Sequence, residues 1–284
     1  MKRIRIIDIN IPFVKRIFHL RFKVAGLTRK SKIINKITKK ALFSHDATYF
    51  IPSPNSVTTV SESIDVNKEF ETPDQIVMPT DIIKSFIMEA DDIVIMNKCL
   101  CRYSTDCTDY PKDLGCIFLG KTTRKISRKY CHEATREEAI EHINKCDEAG
   151  LIHIAGRNKM DTVWMGVDPG DELLTICNCC PCCCLWRVYP KLSNEIQNDF
   201  HKLPGISVYC ENNECIHCNK CIDVCYAQCI SIVDNKIVID EDVCIGCGSC
   251  SNNCPTNAMK LNYEKKNINS VFDKIHGLVK IDSK

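Results

Sequence analysis

Eight of the nine cysteines from Cys215 to Cys254 constrain this chain more than any other feature. They fall in two runs, Cys215-Ile-His-Cys218-Asn-Lys-Cys221-Ile-Asp-Val-Cys225 and Cys244-Ile-Gly-Cys247-Gly-Ser-Cys250-Ser-Asn-Asn-Cys254-Pro255, each spaced C-x2-C-x2-C-x3-C. The runs are an internal repeat of period 29, because Cys215 maps on Cys244 and Cys225 on Cys254. In that register Cys229 falls opposite Ala258, so Cys229 is expected to be a small buried hydrophobe and not a ligand. Between the runs, two β-branched stretches flank Asp234-Asn235, which predicts a hairpin over 230–240. The whole chain has 22 cysteines, 16 of them between Cys177 and Cys254. Neighbours such as Cys179-Cys180 and Cys182-Cys183-Cys184 make awkward disulfide frameworks. The charged N-terminus, broken by Asp8, Asn10 and Pro12, shows no leader peptide. Metal ligation in a reducing cytosol, in an anaerobic host, is therefore the expectation.

Three thiolates at this tight spacing can each take one corner of an iron–sulfur cube, and the fourth, three residues on, points toward a second cube. C-x2-C also suits zinc, but two four-cysteine halves with crossed fourth ligands are not a zinc-ribbon pattern. Residues 210–262 resemble a two-cluster bacterial-type ferredoxin domain. One [4Fe-4S] cluster is then assigned to Cys215, Cys218, Cys221 and Cys254, the other to Cys244, Cys247, Cys250 and Cys225. The chain departs from that pattern in two places. Tyr226 stands where proline is usual, and His217 and Asn219 stand where the second half has Gly246 and Gly248. Glycine lets backbone N–H groups approach cluster sulfur closely, so these changes are expected to alter hydrogen bonding to the first cube.

Two cysteine motifs lie upstream. Cys99, Cys101, Cys107 and Cys116 are spaced C-x-C-x5-C-x8-C, and Cys177, Cys179, Cys180, Cys182, Cys183 and Cys184 put six cysteines in eight residues. Such density suits a thiolate cluster or soft-metal site. Metallothionein-like storage is the rival reading, but the flanks are not low-complexity. The two motifs are expected to face each other across a sheet, offering ten cysteines for two more cubes, or for one cube plus a redox-active thiol pair. Arg102 is expected either to donate to cluster sulfur or an anion, or to pair with Asp106 or Asp109. Cys146 falls on the apolar side of a helix opened by the capping box Thr135-Arg-Glu-Glu138 and is expected in the core. Cys131, beside His132, is left open.

Along the rest of the chain, residues 80–204 are predicted to form a cysteine-rich α+β domain, a helix-plus-small-sheet arrangement. Helices start at Asp81 and Thr135; strands are predicted at 93–96, 151–155, 162–167 and 173–176. Residues 44–79 are predicted as a linker with short extended pieces, residues 205–263 as the two-[4Fe-4S] domain with its pseudo-two-fold repeat, and residues 264–284 as a C-terminal helix packed over it. Residues 1–43 form a basic amphipathic segment. Within residues 1–40, 13 Lys and Arg face a single acid, Asp8, whereas the whole chain has a net charge of only +2. Such an arm suits peripheral contact with a membrane surface or an acidic partner protein. Aromatic interleaving is thin, so no nucleic acid is expected.

Residues 76–262 resemble a group of archaeal and anaerobic-bacterial 4Fe-4S ferredoxin-like proteins. The marks are Met96-Asn-Lys-Cys-Leu-Cys-Arg102, Tyr110-Pro, Leu114-Gly-Cys116, Glu148-Ala-Gly-Leu151, Ile176-Cys-Asn-Cys-Cys180 and the repeat. The resemblance implies cluster binding and leaves substrate open. The leading expectation is an electron carrier between redox partner proteins. The alternatives are an iron–sulfur oxidoreductase, or a subunit of one, with a substrate-accessible upstream cluster near Cys131, His132 and Arg102, and a cluster-sensing regulator. No glycine fingerprint for flavin or nicotinamide is present.

Overall fold

The computed structural model describes residues 6–44, 46–62, 78–265 and 268–281. Three helices open it: α1 (Ile6–Ile17), α2 (Arg21–Lys30) and α3 (Lys32–Leu42). A 3-10 turn at Phe18–Leu20 divides the first two. The apolar stripe of the basic segment is split in use. Ile11, Val14, Phe18 and Ala25 are buried, whereas Phe13, Ile17, Leu20 and Val24 are exposed. Ser31 starts α3 by accepting the Ile34 N–H on its hydroxyl.

The middle of the chain runs β1 (Ala47–Ile51), β2 (Thr59–Glu62), α4 (Asp81–Glu89), β3 (Ile93–Met96), α5 (Leu100–Ser104), β4 (Ile117–Leu119), β5 (Cys131–Glu133), α6 (Arg136–Glu148), β6 (Ile152–Arg157), α7 (Lys159–Met165), β7 (Leu174–Cys179), α8 (Asn194–Gln197) and β8 (Phe200–Lys202). Seven strands form one sheet in the order β5-β3-β4-β7-β6-β1-β8. Every pair is antiparallel except β1 with β8. The sheet is larger than expected because short strands flanking the cysteine motifs join it, and because β1 enters from the predicted linker. Four of the five β1 residues are buried between β6 and β8, so 47–51 is sheet and not linker. Residues 63–77 of that predicted linker lie outside the described residues.

The strand predicted at 162–167 is instead mostly α7. Asn158 caps it by accepting the Met160 N–H, and Gly166, at φ 62°, closes it in the left-handed region. These end signals outweigh the β-propensity of Thr162 and Val163. The capping box of α6 is present, with Thr135 and Glu138 exchanging bonds.

The C-terminal unit contains β9 (Ile206–Cys210), α9 (Lys220–Val224), β10 (Ile230–Val233), β11 (Lys236–Ile239), α10 (Ser249–Asn252), β12 (Met259–Lys265) and α11 (Ile268–His276). β10 and β11 make the expected hairpin, with Asp234 and Asn235 both at positive φ, 48° and 60°. β12 pairs antiparallel with β9 and parallel with β2, so the predicted linker also supplies an edge of this unit. α11 was expected to cover the cysteine repeat; it packs on α4 instead. Phe272 stacks on Phe86 of α4 with ring centroids 4.6 Å apart, and His276 reaches Glu89. The apolar face of α4 draws it there. One continuous apolar core joins the sheet to the C-terminal unit. Among the described residues no helix is long and apolar enough to cross a membrane.

Candidate iron–sulfur centres

In the C-terminal unit each cysteine run forms a loop that leads into a short helix, α9 or α10, and these helices pack together. Cys225, Cys244, Cys247 and Cys250 line one cavity with Gly246 and Gly248. Cys215, Cys221 and Cys254 all neighbour Cys210, and Cys218 neighbours Cys221. Backbone N–H groups of His217, Cys229 and Met259 donate to Cys215, Cys225 and Cys254 Sγ, each at 3.4 Å. Such donors favour thiolate over thiol. A hydrogen bond with the Cys229 thiol lowers Cys225 to about 6 and Cys244 to about 7. Burial pushes Cys247 up to about 12 and raises Cys221 and Cys250.

The two loops share backbone shape but not surroundings. His217 and Asn219 sit at φ 53° and 62°, and Gly246 and Gly248 at 63° and 75°. A Cβ on Gly246 would come within 2.8 Å of Ile206, and one on Gly248 would press into Ser56 and Pro52. The first loop is open, with Cys218 exposed. The second is seated on the sheet-bearing part: Ser251 donates to the Ser56 carbonyl at 2.8 Å, and Asn252 to Ser53 Oγ at 2.9 Å.

The upstream motifs meet at one end of the sheet, not across it. The C-terminal end of β3, the start of β4 and the end of β7 lie side by side in antiparallel register. Cys99, Cys101, Cys116, Cys177, Cys179 and Cys184 line a chamber with Trp164, Trp186 and Phe118. Cys116 Sγ is 3.7 Å from Cys177 Sγ. Contact with the Cys101 thiol lowers Cys99 to about 6, and contact with the Cys116 and Cys179 thiols holds Cys177 well below the usual thiol range. Cys107, Cys180, Cys182 and Cys183 gather beside the chamber, whose lining Cys180 shares. Arg102 is fully buried between the two groups; it donates to the Asn178 carbonyl at 2.9 Å and to that of Leu114. It does not pair with Asp106, which holds Lys112. Behind it His153 is clasped between Asn178 Oδ1 and Asp147 Oδ1 at 2.8 and 2.9 Å.

The family described as the 4Fe-4S dicluster domain matches residues 214–267. Pyruvate synthase subunit PorD of Methanothermobacter marburgensis is 40% identical over 57 residues, 20% of this chain and 67% of PorD. The chain belongs to the 4Fe-4S dicluster ferredoxin-type proteins. Ferredoxin-type protein FwdE of Methanocaldococcus jannaschii is 38% identical over 64 residues, 22% of this chain and 42% of its own. The probable anaerobic dimethyl sulfoxide reductase chain YnfG of Escherichia coli K12 is 34% identical over 85 residues, 28% of this chain and 40% of its own. The chain thus spans about two thirds of PorD and less than half of the other two.

The dicluster unit suits 4Fe-4S clusters on its own terms: thiols converge on shared pockets, and backbone N–H groups are already aimed at sulfur. Its junction with the rest turns on Tyr226, the residue that replaces proline. Tyr226 is fully buried, and its hydroxyl donates to the Cys180 carbonyl at 2.6 Å. Burial, then the charges of Cys184, Cys179, Cys180 and Cys247, hold its hydroxyl protonated well above the usual tyrosine range. Arg187 ties the same junction by donating to the carbonyls of Cys225 and Asp223.

Cys131 and His132 do not line the chamber. They lie on the edge strand β5, where Cys131 meets Arg128 and Ser127 and His132 meets Asn97. Cys146 is fully buried beside Leu151 and Cys180. Three residues escaped sequence reasoning. Cys229 is buried, as expected, but its sulfur is 3.6 Å from Cys225 Sγ, and Cys210 lies against Cys215. Asp161, on α7, lines the chamber with Oδ2 lacking a hydrogen-bond partner; burial, then nearby Cys177, raises its pKa far above the carboxylate range. The repeat register pointed at Cys229, but only as packing, and the strand predicted at 162–167 hid Asp161.

Proposed function

We propose that the protein passes single electrons between redox partner proteins, with the open loop of the dicluster unit as the port and the upstream chamber as the inner station. The clusters, when bound, supply reversible one-electron chemistry. The ligands we assign are Cys215, Cys218, Cys221 and Cys254 for one [4Fe-4S] cluster and Cys244, Cys247, Cys250 and Cys225 for the other, crossed about a pseudo-two-fold. Cys99, Cys101, Cys116, Cys177, Cys179 and Cys184 are the thiol supply for a further iron–sulfur cluster. The chain's own residues exclude water, hold sulfur in place and set the local field.

The observation that carries this reading is Tyr226, a fully buried residue of the dicluster unit whose hydroxyl donates to the carbonyl of Cys180, on the rim of the chamber, at 2.6 Å. It makes the two cysteine systems neighbours through one rigid side chain. The exposed first loop and buried second loop give the path a direction. The printed names of PorD and YnfG, a subunit of pyruvate synthase and a chain of a reductase, support work alongside a larger redox enzyme. Exposed Phe13, Ile33 and Ile37 among lysines support peripheral contact of the N-terminal helices with a membrane surface or an acidic partner, in a reducing cytosol.

The test is rapid photoreduction of the anaerobic full-length protein followed by EPR. The dicluster signal should rise first and a chamber signal second, and Cys116→Ser with Cys177→Ser should abolish only the second. A chamber cluster that stays oxidised while the dicluster unit is reduced would overturn the reading. A second reading, an oxidoreductase with a substrate-accessible chamber, is favoured by the orphaned buried oxygen of Asp161. In that case small thiols or disulfides should shift the chamber's EPR signal, and Asp161→Asn should change that response.

A further inference from the structure

Cys107, Cys180, Cys182 and Cys183 form a group of their own outside the dicluster unit, and only Cys180 among them also lines the chamber. Their four sulfurs all lie within 4.8 Å of one another, with Cys182 at 3.5 Å from Cys180 and 3.7 Å from Cys107. A single tetrahedral metal with metal–sulfur bonds of about 2.3 Å holds its thiolates about 3.8 Å apart. A cube places each thiolate on a different iron, so its protein sulfurs must stand further apart. The same structure supplies the comparison. Among the described residues, no other group of three or more Cys, His, Asp or Glu has its donor atoms gathered within that limit, so the two cube-binding quartets of the dicluster unit are wider.

We propose that Cys107, Cys180, Cys182 and Cys183 bind one divalent cation of borderline softness, zinc or ferrous iron, as a mononuclear tetrathiolate site. The local backbone is built for it. Cys180 heads a turn in which the Cys183 N–H donates to Cys180 Sγ at 3.4 Å. Cys107 heads another, where the N–H groups of Tyr110 and Asp109 reach its sulfur. Two turns of this kind, each delivering sulfur with an N–H at its back, stabilise thiolates around a small cation. Binding releases the thiol protons to solvent. The resulting excess negative charge faces the buried guanidinium of Arg102, which contacts Cys180.

The site would staple the loop after α5 to the turn after β7. That turn carries the Cys180 carbonyl to which Tyr226 is anchored, so the metal would fix the junction between the two halves. The ten upstream cysteines then divide into a quartet for one metal and a sextet around the chamber. The inference does not depend on electron transfer and can stand if that reading fails.

The test is elemental analysis with acid-labile sulfide on the anaerobically isolated full chain. In [4Fe-4S] clusters iron and sulfide are equal, so the total of iron and zinc should exceed sulfide by about one per chain. Cys182→Ser, at the exposed member of the quartet, should remove about one metal and no sulfide, leaving visible absorption from the cubes in place. If the removed metal is iron, the high-spin ferric signal of the mononuclear type that ferricyanide oxidation of the unmodified chain produces should be absent from the variant; if zinc, X-ray absorption of the unmodified protein should show four sulfur neighbours at about 2.3 Å. Equal metal and sulfide in the unmodified chain, or loss of iron and sulfide together in the variant, would overturn the proposal.

Discussion

His217 and Gly246 have the same backbone conformation and opposite tolerances. A side chain at φ near 60° is strained by about 1 kcal/mol or more, which glycine avoids. His217→Gly is therefore expected to stabilise the dicluster unit by about 1 kcal/mol in anaerobic denaturant titration. Gly248→Ala is expected to destabilise it by at least as much, and to cost iron first at the site of Cys225, Cys244, Cys247 and Cys250, since the added methyl has nowhere to go between Ser56 and Pro52. Tyr226 is the other telling residue. Tyr226→Phe removes one hydrogen bond and should cost about 1 kcal/mol. Tyr226→Ala leaves a ring-sized void and should cost about 3–5 kcal/mol, and it should slow the inward phase of reduction even where cluster content is normal.

The N-terminal helices pack on the outside of the elements that line the chamber. α1 packs against α5 and α7, α2 against the 3-10 stretch Leu185–Lys191, and Arg21 lies near Cys101, Cys183 and Cys184. Deleting residues 1–43 should therefore hasten oxygen bleaching of the chamber's absorption several-fold while sparing the outer port, as followed by stopped-flow mixing with aerated buffer. α11 gives the contrasting case. Phe272→Ala breaks the stack on Phe86 and should cost about 3 kcal/mol by thermal or urea unfolding, yet leave the iron content of the dicluster unit unchanged, because that helix lies on α4. Helix and strand ends with capping chemistry, such as Thr135 and Asn235, were legible in the sequence because their signals are local. α7 was not, because Thr162 and Val163 carry strand propensity and only the bonds at Asn158 and Gly166 decide the matter.

At the scale of the molecule, the large sheet and the dicluster unit are stabilised by different means. The sheet has a conventional apolar core of residues such as Phe50, Ile117, Phe118 and Leu174. The C-terminal unit is small, with two cysteine loops at its centre, so it is expected to draw much of its stability from ligation, as small metal-bearing units do. Stripping metal with a strong chelator should expose residues 210–258 to protease while β1, β4, β6 and β7 stay protected. Loss of the whole molecule at once would mean that the shared core couples them more tightly than ligation does.

The eight-cysteine repeat, the ten upstream cysteines and the hairpin at Asp234-Asn235 were determined by sequence alone, since spacing and turn chemistry act over a few residues. The tertiary structure decided what no spacing contains. It placed β1 inside the sheet, sent α11 to α4, gathered Cys107 with Cys180, Cys182 and Cys183, and set Tyr226 between two cysteine systems. Each of these is a contact between residues tens of positions apart, chosen by which apolar faces and sulfur atoms can be buried together in one core.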